Sequence, residues 1–75
     1  MPHDRIVWDP KIMSGKPVIK GTRIPVETVL RWLGKGETVE TLLDQYPSLT
    51  REDIQAAQMF AADLIANERV VTAAE

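Results

Sequence analysis

The chain has 75 residues, 44% of them hydrophobic and 27% charged, a formal net charge of −2, and no cysteine. A chain this short makes one domain and buries only about 60% of its unfolded surface, so its core is marginal and a homodimer or an obligate partner is expected to add stability. Disulfides and thiolate metal sites are excluded, the single histidine (His3) excludes a histidine-based metal cluster, and no apolar run approaches the roughly 20 residues of a membrane span, so a cytoplasmic protein with no membrane partner is expected.

Arg5-Ile6-Val7-Trp8 is a β-prone run stopped by Asp9-Pro10. Lys11-Ile12-Met13 suits one turn, and Ser14-Gly15-Lys16-Pro17 reads as a loop. Pro17-Val18-Ile19 is a second β-prone run, turned at Lys20-Gly21 and returning through Thr22-Arg23-Ile24. Such pieces are too short to stand alone. They must pack on helices or pair with the same ribbon of a second copy.

Pro25 opens the first helix, where its missing amide costs nothing. Val26, Val29, Leu30 and Leu33 form its apolar stripe, and Gly34-Lys35-Gly36 ends it with a left-handed glycine. Thr38 caps a second helix, whose positive first turn holds Glu40 and whose inner face carries Val39, Leu42, Leu43 and Tyr46. Pro47 pushes Gln45-Tyr46 toward extended geometry and stops it. Thr50 caps a third helix, with Asp53 completing a short-armed capping box. Ile54, Ala57, Ala61 and Leu64 continue the apolar stripe until the helix frays near Asn67-Glu68-Arg69. The expected fold is therefore mainly α: a β-rich arm over 5–24, a three-helix core containing a helix-turn-helix unit over 25–67, and a tail over 68–75.

Little here suits catalysis. Gly15-Lys16 and Gly34-Lys35 are followed by Pro17 and Gly36, where a phosphate-binding loop needs Ser or Thr, and the leading glycine is missing. Glu52 and Asp53 are adjacent on a helix, so they point about 100° apart and serve the helix start instead. Asp9 suits a loop acceptor or a partner for Arg23. Ser14 and Ser48 have no base at hand. No catalytic residue, cofactor or metal site is expected.

Binding is the better reading. Residues 1–37 carry seven Lys/Arg against four acids, whereas residues 38–75 carry two against seven. That asymmetry suits a polyanion on one side and a basic partner on the other, or simply solvated faces of mixed sign. Lys16, Lys20 and Arg23 flank the turn of the arm and could line a phosphate backbone; they equally suit a soluble hairpin edge. Thr50, Arg51, Gln55 and Gln58 on the third helix are the residue types that contact phosphates and base edges. Glu52 and Asp53 oppose that, so a tri-helical domain using this shape only for packing competes with it. Trp8 and Trp32 either cover the core or lie in a partner surface. The segment with Phe60, Leu64, Ile65, Val70 and Val71 is apolar and acidic, suited to docking on a partner or to a frayed tail.

The run Gly15-Lys16-Pro17-Val18-Ile19-Lys20-Gly21-Thr22-Arg23-Ile24-Pro25-Val26, preceded by Asp9-Pro10 and followed by Leu42-Leu43, Tyr46-Pro47, Leu49-Thr50, Asp53-Ile54 and Ala56-Ala57, resembles the bacterial family catalogued as domain of unknown function 433. The resemblance covers about residues 5–66. It implies a homeodomain-like helix-turn-helix fold with a β-rich arm. It also implies an antitoxin of a type II toxin–antitoxin pair, neutralising a toxin that resembles PIN-domain ribonucleases and binding its own operator DNA. The alternatives are a stand-alone DNA-binding regulator and a dimeric protein-interaction module that binds no DNA. Arg23, lying between a turn and a helix start, is expected to have a definite partner.

Overall fold

The computed structural model describes residues 3–68. Two short strands and three helices follow one another: β1 (Ile6–Val7), β2 (Val18–Ile19), α1 (Val26–Gly34), α2 (Val39–Gln45) and α3 (Arg51–Glu68). The expected mainly α architecture, three helices behind a β-rich arm, is what the chain adopts. The expected tail beyond Glu68, with Val70 and Val71, lies outside the described residues.

The arm is built differently from a simple hairpin. β1 pairs antiparallel with β2 within the chain, Ile6 opposite Ile19 and Val7 opposite Val18. On its other side β2 meets a single bridge, Val18 opposite Pro25, rather than a full return strand. That bridge is closed by the Ile19 amide donating to Ile24 at 2.9 Å and the Val26 amide donating to Pro17 at 2.9 Å. Both bonds flank Pro25, so its missing N–H leaves no gap in the ladder. β2 thus has both edges taken, and Val18 and Ile19 are fully buried. Between the strands, Met13, Ser14 and Gly15 all have positive φ (50°, 57° and 83°). This left-handed turn is tied by Gly15 to Ile12 and by Lys16 to Met13. Gly21, with φ 82°, supplies the turn that leads back to Ile24.

Each helix end has a local cause. Thr38 Oγ1 accepts from the Thr41 amide at 3.1 Å and starts α2. α1 stops in a Schellman arrangement: the Gly36 amide donates to Leu33 and the Glu37 amide to Trp32, with Gly36 at φ 93°. α3 starts in the reciprocal box expected from Thr50 and Asp53. Thr50 Oγ1 accepts from the Asp53 amide, and Asp53 Oδ2 accepts from the Thr50 amide, both at 3.1 Å.

The apolar stripes converge on one core in which Ile6, Ile19, Val29, Leu42, Leu49 and Ile54 are buried. The arm is therefore part of the core: Ile6 and Ile19, opposite one another in the sheet, lie under the helices. One further bond secures it. Arg5 Nη1 donates at 2.9 Å to Asp53 Oδ1, the oxygen the cap leaves free. Asp53 is the one buried charged residue among the described residues, 6% exposed. Both of its oxygens are satisfied, and no buried side-chain polar atom among the described residues lacks a partner.

Two stability measurements test this construction. Gly36→Ala forces an L side chain into the left-handed region and should cost about 1 kcal/mol, lowering Tm by about 4–8 °C. Gly34→Ala, with nothing within 4 Å of the added methyl, should raise Tm instead. Asp53→Ala removes a cap and a buried carboxylate together and should cost about 2 kcal/mol. Arg5→Ala should cost about half as much, because Arg5 is half-exposed and exposed ion pairs are weak. Equal losses for the two, or none for Asp53→Ala, would contradict the arrangement.

Candidate partner-binding surfaces

The residues expected to contact DNA do not form one surface. Thr50 has its hydroxyl engaged by the Asp53 amide. Arg51 Nη2 donates to Glu40 Oε2 at 2.7 Å, joining the starts of α2 and α3. Gln55 and Gln58 are exposed on α3. Glu37, Glu40, Asp44 and Glu52, on or beside α2 and the start of α3, are exposed as well. The first turns of α2 and α3 thus carry the exposed acids Glu40 and Glu52, and Arg51 is paired with a glutamate.

On the arm, Lys16 Nζ donates to Glu27 Oε2 at 2.9 Å, at the first turn of α1. Lys20 and Arg23 are exposed, and neither has an ion-pair partner among the described residues. Arg23 therefore departs from the expectation of a definite partner. Asp9 does not pair with it: Asp9 Oδ1 accepts from the Lys11 amide at 2.9 Å and shapes the loop after β1. That Arg23 lacks an ion-pair partner among the described residues was not legible from type alone, since any arginine near a turn looks bondable in sequence.

The partner-binding candidates divide sharply. Phe60, expected at a partner surface, is instead 5% exposed and belongs to the chain's own core. The rings of His3 and Trp8 meet it edge-on, with centroids 5.3 and 5.1 Å away. His3 Nε2 lies 3.0 Å from Asp63 Oδ2, so the start of the arm clasps α3 beyond Phe60. Leu64 is 45% and Ile65 57% exposed, although Leu64 continues the stripe of the buried Ile54 and Ala57 and the half-buried Ala61. The stripe outruns the core. Sequence periodicity sets which face of a helix is apolar but says nothing about where the covering elements stop. Trp8, over Phe60, remains 57% exposed, whereas Trp32 is half-buried with its ring edge-on to Tyr46. Met59, on the opposite side of α3, is 58% exposed.

No group of three or more potential metal ligands occurs among the described residues. No helix there is long and apolar enough to cross a membrane.

Two exposed ion pairs perturb their carboxyls. The Arg51 guanidinium, hydrogen-bonded to Glu40, is the main cause holding that carboxyl below its ordinary value of 4.5. The Lys16 hydrogen bond does the same for Glu27. A carboxyl whose folded value is depressed binds its proton first in the unfolded chain. Its contribution is therefore fully present above pH 4.5 and fades as pH falls through the lower, folded value. Thermal melts between pH 6 and pH 3 should show Tm falling less steeply for Glu27→Gln/Glu40→Gln than for the parent. Parallel curves would show that neither pair bears on folding.

Comparison with known proteins places this architecture. Residues 6–61 match the family described as Protein of unknown function (DUF433). The uncharacterized protein y4eO of Sinorhizobium fredii is 42% identical over 56 residues, which is 75% of this chain and 25% of that protein. An uncharacterized protein of Archaeoglobus fulgidus is 64% identical over 28 residues, 37% of this chain and 78% of the relative. The chain thus spans about a quarter of the length of y4eO and most of the shorter relative. The crystal structure of a DUF433 member from Anabaena variabilis superposes with a TM-score of 0.75 at 34% identity, covering 87% of this chain and 67% of that one. With the family's model matching residues 6–61 and a member's crystal structure superposing over most of the chain, the chain belongs to the DUF433 family.

Proposed function

We propose that this chain is a binding protein and not an enzyme: an antitoxin-like partner of a PIN-type ribonuclease toxin, docking through the uncovered run of α3. The observation that carries the reading is that Leu64 and Ile65 extend the apolar stripe of α3 past the end of the core. A helix spending half its apolar stripe on its own core and leaving the rest open is shaped to receive a second surface. Burying the exposed parts of Leu64 and Ile65 is worth about 1 kcal/mol each. The half-exposed Trp8 beside Phe60 offers an aromatic anchor of the kind that dominates interfaces.

Inhibition would follow from occlusion. A nuclease acting through metal-held water needs its substrate to reach the acidic metal cluster. A helix laid across the entrance removes that access and asks for no chemistry from the inhibitor.

The test is co-purification with the product of the adjacent gene, with ribonuclease activity and the mass of the complex as readouts. A stoichiometric, inactive complex at micromolar concentration is expected, and the mass reports whether the chain enters it as a homodimer. Leu64→Asp/Ile65→Asp should weaken capture at least a hundredfold while leaving Tm within a few degrees, since both side chains are exposed. No complex, or a complex indifferent to that variant, would remove the reading.

A further inference from the structure

The open end of α3 carries a charge as well as an apolar run. Asp63, Leu64 and Ile65 are consecutive, and each is about half-exposed, the Asp63 side chain at 47%. Successive residues of a helix point about 100° apart, so Leu64 stands between Asp63 on one side and Ile65 on the other. The three together span about 200° of the helix circumference, which a concave surface covers and a flat one does not. On the Asp63 side the contacts run on without a break. His3 Nε2 lies 3.0 Å from Asp63 Oδ2, the His3 ring meets Phe60, and the exposed Trp8 meets Phe60 in turn.

The helix does not answer this charge. α3 holds no lysine or arginine after Arg51 in its first turn, and no basic residue in its last. The negative end of its dipole therefore adds to Asp63. Arg5 is committed to Asp53. The ion-pair partner of Asp63 among the described residues is the His3 imidazole, which is charged only when protonated.

We propose that the surface received by this end of α3 is an apolar groove with a cationic rim, and that Asp63 recognises a lysine or arginine of that rim. This rests on the reading of Leu64 and Ile65 as a docking run, and it names the chemistry of what docks there. Opposite charges at the edge of an apolar contact fix its register and exclude wrong partners. His3 is then a stand-in, holding Asp63 in the free chain and giving way to a permanently charged group. A guanidinium is the stronger competitor, because it offers a carboxylate two parallel hydrogen bonds. The exposed part of Trp8 suits the same group, since cations are drawn to indole rings. An entrance that admits RNA must neutralise phosphates, so it supplies a rim of this kind.

The test extends capture of the adjacent gene's product to variants of this patch, at about 0.1 M and about 1 M salt, where the Debye length falls from about 10 to about 3 Å. At the lower salt Asp63→Asn should weaken capture about tenfold and Asp63→Lys about a hundredfold, and both losses should shrink at the higher. His3→Ala breaks the same contact within the chain but keeps the carboxylate, and should leave capture unchanged or tighter. Melting curves accompany each variant: a fall in Tm shared by His3→Ala and Asp63→Asn reports the lost contact, whereas the loss of capture belongs to the Asp63 variants alone. No complex with the parent chain removes this inference together with the docking reading. A complex that Leu64→Asp/Ile65→Asp abolishes and Asp63→Lys leaves intact overturns this inference alone. So does an equal loss for His3→Ala and Asp63→Asn, which would make the contact, and not the carboxylate, the thing the partner needs.

Discussion

One carboxylate holds this molecule together. Asp53 presents one oxygen to the Thr50 amide and the other to Arg5, 48 residues earlier. The first contact starts α3; the second fastens the arm to it. Two-residue strands are too short to persist by themselves, and a chain of this size has little core to spare. The arm is ordered because Ile6 and Ile19 are buried under helices and because Arg5 reaches the helix whose start they cover. A buried carboxylate would be a liability if either oxygen lost its partner. Here the cap and the ion pair are the same group, so the start of α3 and the docking of the arm depend on one another.

That construction separates the surfaces available for binding. The arm packs on α3 as far as Asp63 and pins Phe60 between His3 and Trp8, leaving the side chains of Leu64 and Ile65 exposed beyond it. Cations collect on the arm and α1, while acids collect where α2 and α3 begin. The three-helix order expected of a helix-turn-helix unit is present, and its α2 and α3 begin with the exposed acids Glu40 and Glu52. Fold likeness to DNA-binding helix-turn-helix units therefore does not carry over to the site, which has to be read from its own charges.

Features set by neighbours in sequence were legible from sequence. Thr38, the short-armed Thr50–Asp53 box and the glycine after α1 each answer to a bond spanning three to five residues. The choice between Gly34 and Gly36 required only the position of the turn. Features set across the chain were not legible. Nothing in the type of Arg5 or Asp53 announces their pairing, because either residue alone is an ordinary surface charge. The β1–β2 register hid behind a left-handed turn at Met13 and Ser14, where no glycine marks it. Phe60 lies beside the stripe on a helical wheel and Met59 opposite it, and the rings of His3 and Trp8 complete the cover over Phe60. Leu64 shows the remaining limit: its spacing is that of a core residue, but the elements that would cover it end one turn sooner.

Amide hydrogen exchange under native conditions tests most directly whether arm and helices form one unit. The Lys20 amide, donated to Arg5 across the sheet, reports the arm, and the Ile54 amide, donated to Thr50, reports the start of α3. If Asp53 fastens them together, both amides exchange with the same opening free energy and the same denaturant dependence, equal to those of global unfolding. A Lys20 amide that exchanges orders of magnitude faster, with Ile54 still protected, would show the arm peeling away from an intact helical core and would contradict the account.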